Sequence, residues 1–147
     1  MSSKRQQIVD KVKERFALIR IANGYLTEAG ANLKEWQTTA LEDDELPATN
    51  IFDGKEKASI KDKNSGTYTA LLQITVNFVF READLTPAAA RNALADASKA
   101  IGVDPKWGGL ARHTLPDSEE VVMDPKSQKL AGARITFIVE YSRKPWE

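Results

Sequence analysis

Residues 67–80, TYTALLQITVNFVF, constrain this chain more than any other stretch. Tyr68, Ala70, Leu72, Ile74, Val76, Phe78 and Phe80 fall on one side of an extended backbone. Thr67, Thr69, Gln73, Thr75 and Asn77 fall on the other. Successive side chains of a strand point to opposite faces, so this alternation predicts a long strand with one buried face. A polar second face favours an antiparallel or mixed sheet over a parallel sheet covered on both sides.

Such a face needs partners. Residues 4–20 supply one, because Ile8, Val12, Phe16 and Ile19 share one side of a helix. Lys11, Lys13, Glu14 and Arg15 lie mostly on the other sides. Ser2 or Ser3 is placed to cap the start, and Asn23-Gly24 supplies a left-handed exit. A second helix opens at Thr86-Pro87, where Thr86 caps and the missing N–H of Pro87 costs nothing. Ala90, Leu94, Ala97 and Ile101 form its inward stripe, its alanines allow close approach to a sheet, and Gly102 ends it.

The remaining segments are less patterned. Residues 31–39 read as a strand of poor alternation containing Trp36. Residues 48–53 read as a short strand between Pro47 and Gly54. Residues 55–66 are polar and lysine-rich, which predicts an exposed hairpin or mobile flap. Residues 102–118, with three glycines and two prolines, read as a long irregular stretch, and such loops are usually functional or disordered. Residues 119–123 and 130–141 predict a final hairpin across 124–128. In its second strand Ile135, Phe137, Val139 and Tyr141 point one way, and Arg134, Thr136 and Glu140 the other. The tail from Ser142 frays unless Trp146 docks on a neighbour. The expected fold is α+β: a mixed, mostly antiparallel sheet with long amphipathic strands packed by two main helices, in a single domain spanning 1–147.

Composition removes several functions. Lys plus Arg and Asp plus Glu are equal at 21 each, without the basic excess a free-standing nucleic-acid binder needs for phosphate neutralisation. With no cysteine there are no disulfides, thiolate metal sites or thiol catalysis. No apolar run approaches the roughly 20 residues that span a bilayer, and residues 1–16 contain no signal-peptide core. The expectation is a soluble protein made in a cytoplasm.

Catalytic grammar is lacking too. The one histidine, His113, sits between Leu110-Ala111-Arg112 and Thr114-Leu115-Pro116 without a nucleophile motif, and reads as a surface or interface residue. Glu42, Asp43, Asp44 and Glu45 are consecutive and lack the spaced ligands and glycine of a calcium loop. Gly108-Gly109 lacks the setting of a phosphate-binding loop. The expectation is a non-enzyme without cofactor or metal.

Four segments, in order, carry a likeness: Ile21-Ala22-Asn23-Gly24-Tyr25 after the first helix, Leu46-Pro47 before a short strand, the long strand with its proline-started alanine helix, and Trp107-Gly108-Gly109-Leu110-Ala111. With the final hairpin they cover nearly the whole chain. In this order the chain resembles the tail terminator proteins of long-tailed bacteriophages, also called minor tail or tail completion proteins. The resemblance implies a structural virion protein with an α+β fold. It also implies a homohexameric ring that caps the head-proximal end of the tail tube, ends tube polymerisation and offers the head-joining surface. The implied partners are further copies of the chain, the tail tube protein and a head-completion or connector protein. DNA passes through such a ring only transiently, and no membrane is involved.

For such a ring the candidate contact residues lie outside the sheet core. Trp107, Leu110 and Arg112 sit in the long loop, and tryptophan and arginine are enriched at interface hot spots. Trp107 and Leu110 have an alternative reading as plugs at the bottom of the core. Tyr25, Asp43, Asp44, Lys57 and Lys61 are further candidates, against plain solvation. Rival functions are another tail-tube or neck component, a DNA-binding accessory protein using Lys55, Lys57, Lys61 and Lys63, and a small-molecule binding domain. No convergent polar pocket can be read for the last.

Overall fold

The alternating stretch forms β3 (Thr67–Val79), the centre of a five-stranded sheet. The structure is a computed structural model, and it describes residues 3–37, 45–62, 66–81, 84, 86–122 and 132–144. The other strands are β1 (Leu33–Glu35), β2 (Ala48–Asp62), β4 (His113–Val122) and β5 (Gly132–Arg143), in spatial order β1-β2-β3-β5-β4. β1 runs parallel to β2, and every other pairing is antiparallel. The expected α+β class and mixed, mostly antiparallel sheet are therefore what the chain adopts.

Burial follows the period-2 pattern. β3 and β5 pair without interruption from Tyr68 opposite Arg143 to Val79 opposite Gly132. This register sets Leu72 against Val139, Ile74 against Phe137 and Val76 against Ile135, all buried on one face. Cross-strand pairs of branched and aromatic residues are the unit of sheet stabilisation.

Both helices cover that face. α1 (Lys4–Ala17) contributes Ile8, Val12 and Phe16, and the Phe16 ring lies 6.2 Å from Phe78 and 6.3 Å from Phe137. Ser3 caps α1 by accepting the Gln6 N–H. α2 (Pro87–Val103) contributes Ala90, Ala93, Ala97 and Ala100 to the same cluster, and Thr86 caps it by accepting the Ala89 N–H at 3.0 Å. Leu94 and Ile101 are only partly buried against it. α2 continues past Gly102 to Val103.

Several boundaries differ from the sequence reading. α1 ends at Ala17 rather than at 20, although Ile19 stays buried. The left-handed glycine is present, with Gly24 at φ 88°, but it closes the short 3₁₀ turn Ile21–Asn23 rather than α1 itself. Of the strand expected over 31–39, residues 38 and 39 lie outside the described residues; within the rest only Leu33–Glu35 is strand, and it stops where Trp36 takes a left-handed φ of 54°.

The largest correction is β2, which runs through Gly54 to Asp62. Of the two readings of this segment, residues 55–62 take the hairpin and not the flap: they pair antiparallel with β3, the next strand in the chain, from Glu56 opposite Leu72 to Asp62 opposite Thr67. A bulge between Asp53 and Glu56 shifts the parity, so Asp53 precedes Glu56 and Ala58 on the core side. One extra residue thus erased the alternation that would have exposed the strand in sequence. The long irregular stretch is also shorter than expected: α2 reaches Val103 and β4 begins at His113. β4 is exposed along nearly its whole length and is bulged between Pro116 and Ser118, so no period marks it. The expected turn at 124–128, the acidic loop at 42–44 and Trp146 lie outside the described residues.

Candidate assembly surface

The turn after α2 is built around Trp107, which is 0% exposed. Trp107 (φ 53°), Gly108 (φ 73°) and Gly109 (φ 88°) are three consecutive left-handed residues. Glycine takes that conformation readily, whereas a left-handed tryptophan costs about 1–3 kcal/mol and persists only where its surroundings hold it. Here the hold is extensive. The indole stacks on Phe137 at 6.0 Å, lies beneath the Arg15 guanidinium at 4.4 Å, and donates from Nε1 to Thr114 Oγ1 at 2.7 Å. Thr114 in turn donates to the Pro105 carbonyl at 2.7 Å. The Asp104 carboxylate accepts the Gly108 N–H at 2.7 Å and the Lys106 N–H at 3.1 Å. These backbone donors, helped by Arg15, hold its pKa below the usual carboxylate value.

Trp107 therefore belongs to the core and presents no surface to a partner, the second of its two sequence readings. Leu110 is partly buried against the same cluster. Arg112 is exposed, and its backbone N–H donates to the Glu140 carbonyl at 2.8 Å. Tyr25 is half-buried beneath Lys99, whose Nζ sits 4.8 Å from the ring centroid. Lys57 is exposed on β2, and Lys61 is placed on β2 by its backbone. Asp43 and Asp44 lie outside the described residues. The structure does not gather the candidates into one cluster: Arg112 leads into β4 at one sheet edge, while Lys57 lies on β2 three strands further across. His113 faces Glu140 at 3.0 Å, on the surface of β4.

The sheet has a second face that the buried residues of α1 and α2 do not reach. Register places Phe52, Thr75 and Thr136 in one row across it, and Gln73, Ile138 and Leu115 in the next. The hydroxyls of Thr75 and Thr136 are 3.2 Å apart. Beyond Phe52 at one side stands Trp36, 52% exposed, with its ring edge-on to Phe52 at 5.1 Å. At the other side Leu115 is 41% exposed. An interrupted apolar belt thus crosses this face from edge to edge. Sequence reading missed both ends of it, since a lone Trp36 and a lone Leu115 carry no periodic signal.

Trp36 is tied down by chemistry on the adjoining strand. Its Nε1 donates to Asp53 Oδ1 at 2.8 Å, while Arg5 donates to Asp53 Oδ2 at 2.9 Å. Burial pushes the Asp53 pKa up, but the Trp36 and Arg5 hydrogen bonds together outweigh it and hold the group below its ordinary value. Three residues further along β2, the Tyr141 hydroxyl donates to Glu56, which also pairs with Arg143 at 3.1 Å. Burial, then the Glu56 hydrogen bond, push the Tyr141 pKa up to about 12. Both clusters brace one element against another.

Among the described residues no three His, Asp or Glu side chains are grouped to hold a metal ion, and no helix is long and apolar enough to cross a membrane. No protein-family model and no curated protein sequence matches the chain.

Proposed function

We propose that this chain is a structural subunit of the tail-terminator type, made in a bacterial host and resident in the virion tail of a phage or prophage. It acts by closing into a ring, seating that ring on the last layer of the tail tube and offering a different surface to the head-completion or connector protein. One observation carries the reading: both helices pack on one sheet face, and among the described residues no helix covers the other, which bears exposed Trp36 and Leu115 at its two sides with partly buried Phe52 and Ile138 between them. Exposed apolar side chains that run together on a surface mark interaction sites. A head-to-tail contact whose rotation closes gives a ring, and one that does not close gives a filament. A terminator must do the first and stop.

Molar mass by light scattering over a wide concentration range tests this. A closed species of a few chains, with nothing larger, is the expected result. Open-ended growth would assign the chain to the tube instead.

A second reading is favoured by the exposed Lys55 and Lys57 on β2: a DNA-binding accessory protein. Binding to duplex DNA that weakens steeply with salt would support it, and no binding at low salt would remove it.

A further inference from the structure

Among the described residues the sheet has two margins without a neighbouring strand, and their exposed charges are opposite. β1 pairs with β2 only at Thr49, Asn50 and Ile51, so from Lys55 to Asp62 no strand lies beside β2 among the described residues. That margin presents the exposed Lys55 and Lys57. The other margin is β4, which among the described residues pairs with β5 alone and presents the exposed Asp117, Glu119 and Glu120; Glu119 accepts from Ser98 at 3.1 Å and Glu120 pairs with Arg134 at 3.0 Å, which leaves Asp117 and Glu119 to carry the negative charge of this margin.

Resting on the ring-forming reading above, we propose that the ring contact joins these two margins: β4 of one copy lies against the uncovered half of β2 of the next. Unpaired strand edges carry a row of free backbone donors and acceptors that pair readily with another chain. Here the charges decide which chain. A β2 margin repels another β2 margin, and a β4 margin repels another β4 margin, so the two-fold pairings that would give closed dimers are disfavoured. Only the heterologous pairing, β4 to β2, brings opposite charges together, and that is the type of contact from which rings are built.

Direction agrees as well. Within one sheet β2 and β5 run one way, and β3 and β4 the other. Copies related by rotation about an axis along the strands therefore set β4 antiparallel to the neighbouring β2, with the helices of every copy on the same side. Pro116 and the bulge between Pro116 and Ser118 break the ladder at the start of β4. Ser118–Val122 is then the part of β4 competent to pair.

The test uses two charge reversals in the full chain, followed by sedimentation velocity with circular dichroism as a folding control. One variant carries Lys55→Glu with Lys57→Glu; the other carries Asp117→Lys with Glu119→Lys. Each alone has two margins of like charge and is expected to lose the closed species. Mixed in equal amounts they present complementary margins again, and the closed species is expected to return. Assembly of both variants at the wild-type concentration would overturn the edge contact while leaving the ring reading in place. Loss in either variant without recovery on mixing would also overturn it, because local damage would then explain the loss. A wild-type chain that stays monomeric at every concentration and at low salt would overturn the ring reading and this contact together.

Discussion

The carboxylate of Asp96, buried in the middle of α2, accepts hydrogen bonds from three donors in a segment about seventy residues away. Thr27 donates from its backbone N–H at 2.8 Å and from its hydroxyl at 2.7 Å, and Leu26 donates its N–H at 2.9 Å. One side chain thereby fastens the turn after α1 to α2. Lys99, three residues further along α2, adds a bond to the Gly24 carbonyl at 2.8 Å. Asp96→Ala should destabilise the monomer severely, because each buried donor left without a partner costs about 1–3 kcal/mol. Asp96→Asn, which keeps one accepting oxygen, should cost less. Urea unfolding of the two variants checks the order.

Trp107 stacks on Phe137 and fills the base of the core, so Trp107→Ala should lower stability by about 3–5 kcal/mol. Arg112→Ala at an exposed position should change it by less than about 0.5 kcal/mol. Thermal melts of the two separate variants decide whether the loop is core or contact surface. Equal, small effects would contradict the core assignment.

Gly132 begins β5 directly beside Phe78, and a Cβ there would sit 1.7 Å from the Phe78 carbonyl oxygen. Backbone cannot yield by that amount without opening the β3–β5 ladder. Gly132→Ala should destabilise by about 3 kcal/mol or more. At Gly102, near the end of α2, a Cβ meets nothing within 4 Å. Gly102→Ala should leave stability unchanged or raise it by about 0.5–1 kcal/mol. Chemical denaturation of the pair gives the contrast directly.

Asp53 and Asp104 both titrate below their ordinary value in the fold. A group with a depressed folded pKa contributes stability above its unfolded value, about 3.9, and loses that contribution as pH falls through the folded value. Acid should therefore weaken the wild type more than Asp53→Asn, which has no proton to gain. Urea midpoints followed from about pH 6 to about pH 3 should converge for the two proteins. Parallel curves would show that the Trp36 and Arg5 bonds to Asp53 do not stabilise its charge.

Tyr141 is the mirror case, with its pKa raised to about 12. Its contribution is full below the unfolded value of about 10 and is lost as pH rises through the folded one. Of the three tyrosines, one should resist ionisation in an ultraviolet titration until the fold opens. Glu56→Gln, which removes the charge beside the Tyr141 hydroxyl, should let that tyrosine ionise at lower pH.

The sequence alone determined those elements whose own period matches their burial. The alternation of 67–80, the apolar stripe Ile8, Val12, Phe16 and Ile19, and the Thr86-Pro87 start are each complete within a few turns of chain, so local pattern was sufficient. Tertiary structure decided the rest, because the deciding partner comes from elsewhere. β2 runs nine residues beyond its pattern, to Asp62, because β3 offers a backbone to pair with beyond Gly54, and the bulge at 53–56 hides the resumed alternation. β4 has no period because nearly all of it is exposed and β5 provides the strand that it pairs with. Trp107 is core rather than contact surface because Arg15, Thr114 and Phe137 converge on it from three separate elements. Asp96 showed nothing in sequence beyond an acid beside the inward alanine stripe; only folding brings Leu26 and Thr27 to it. The opposition of charge between Lys55 and Lys57 at one margin and Asp117 and Glu119 at the other is likewise a property of strand order, which no local pattern encodes.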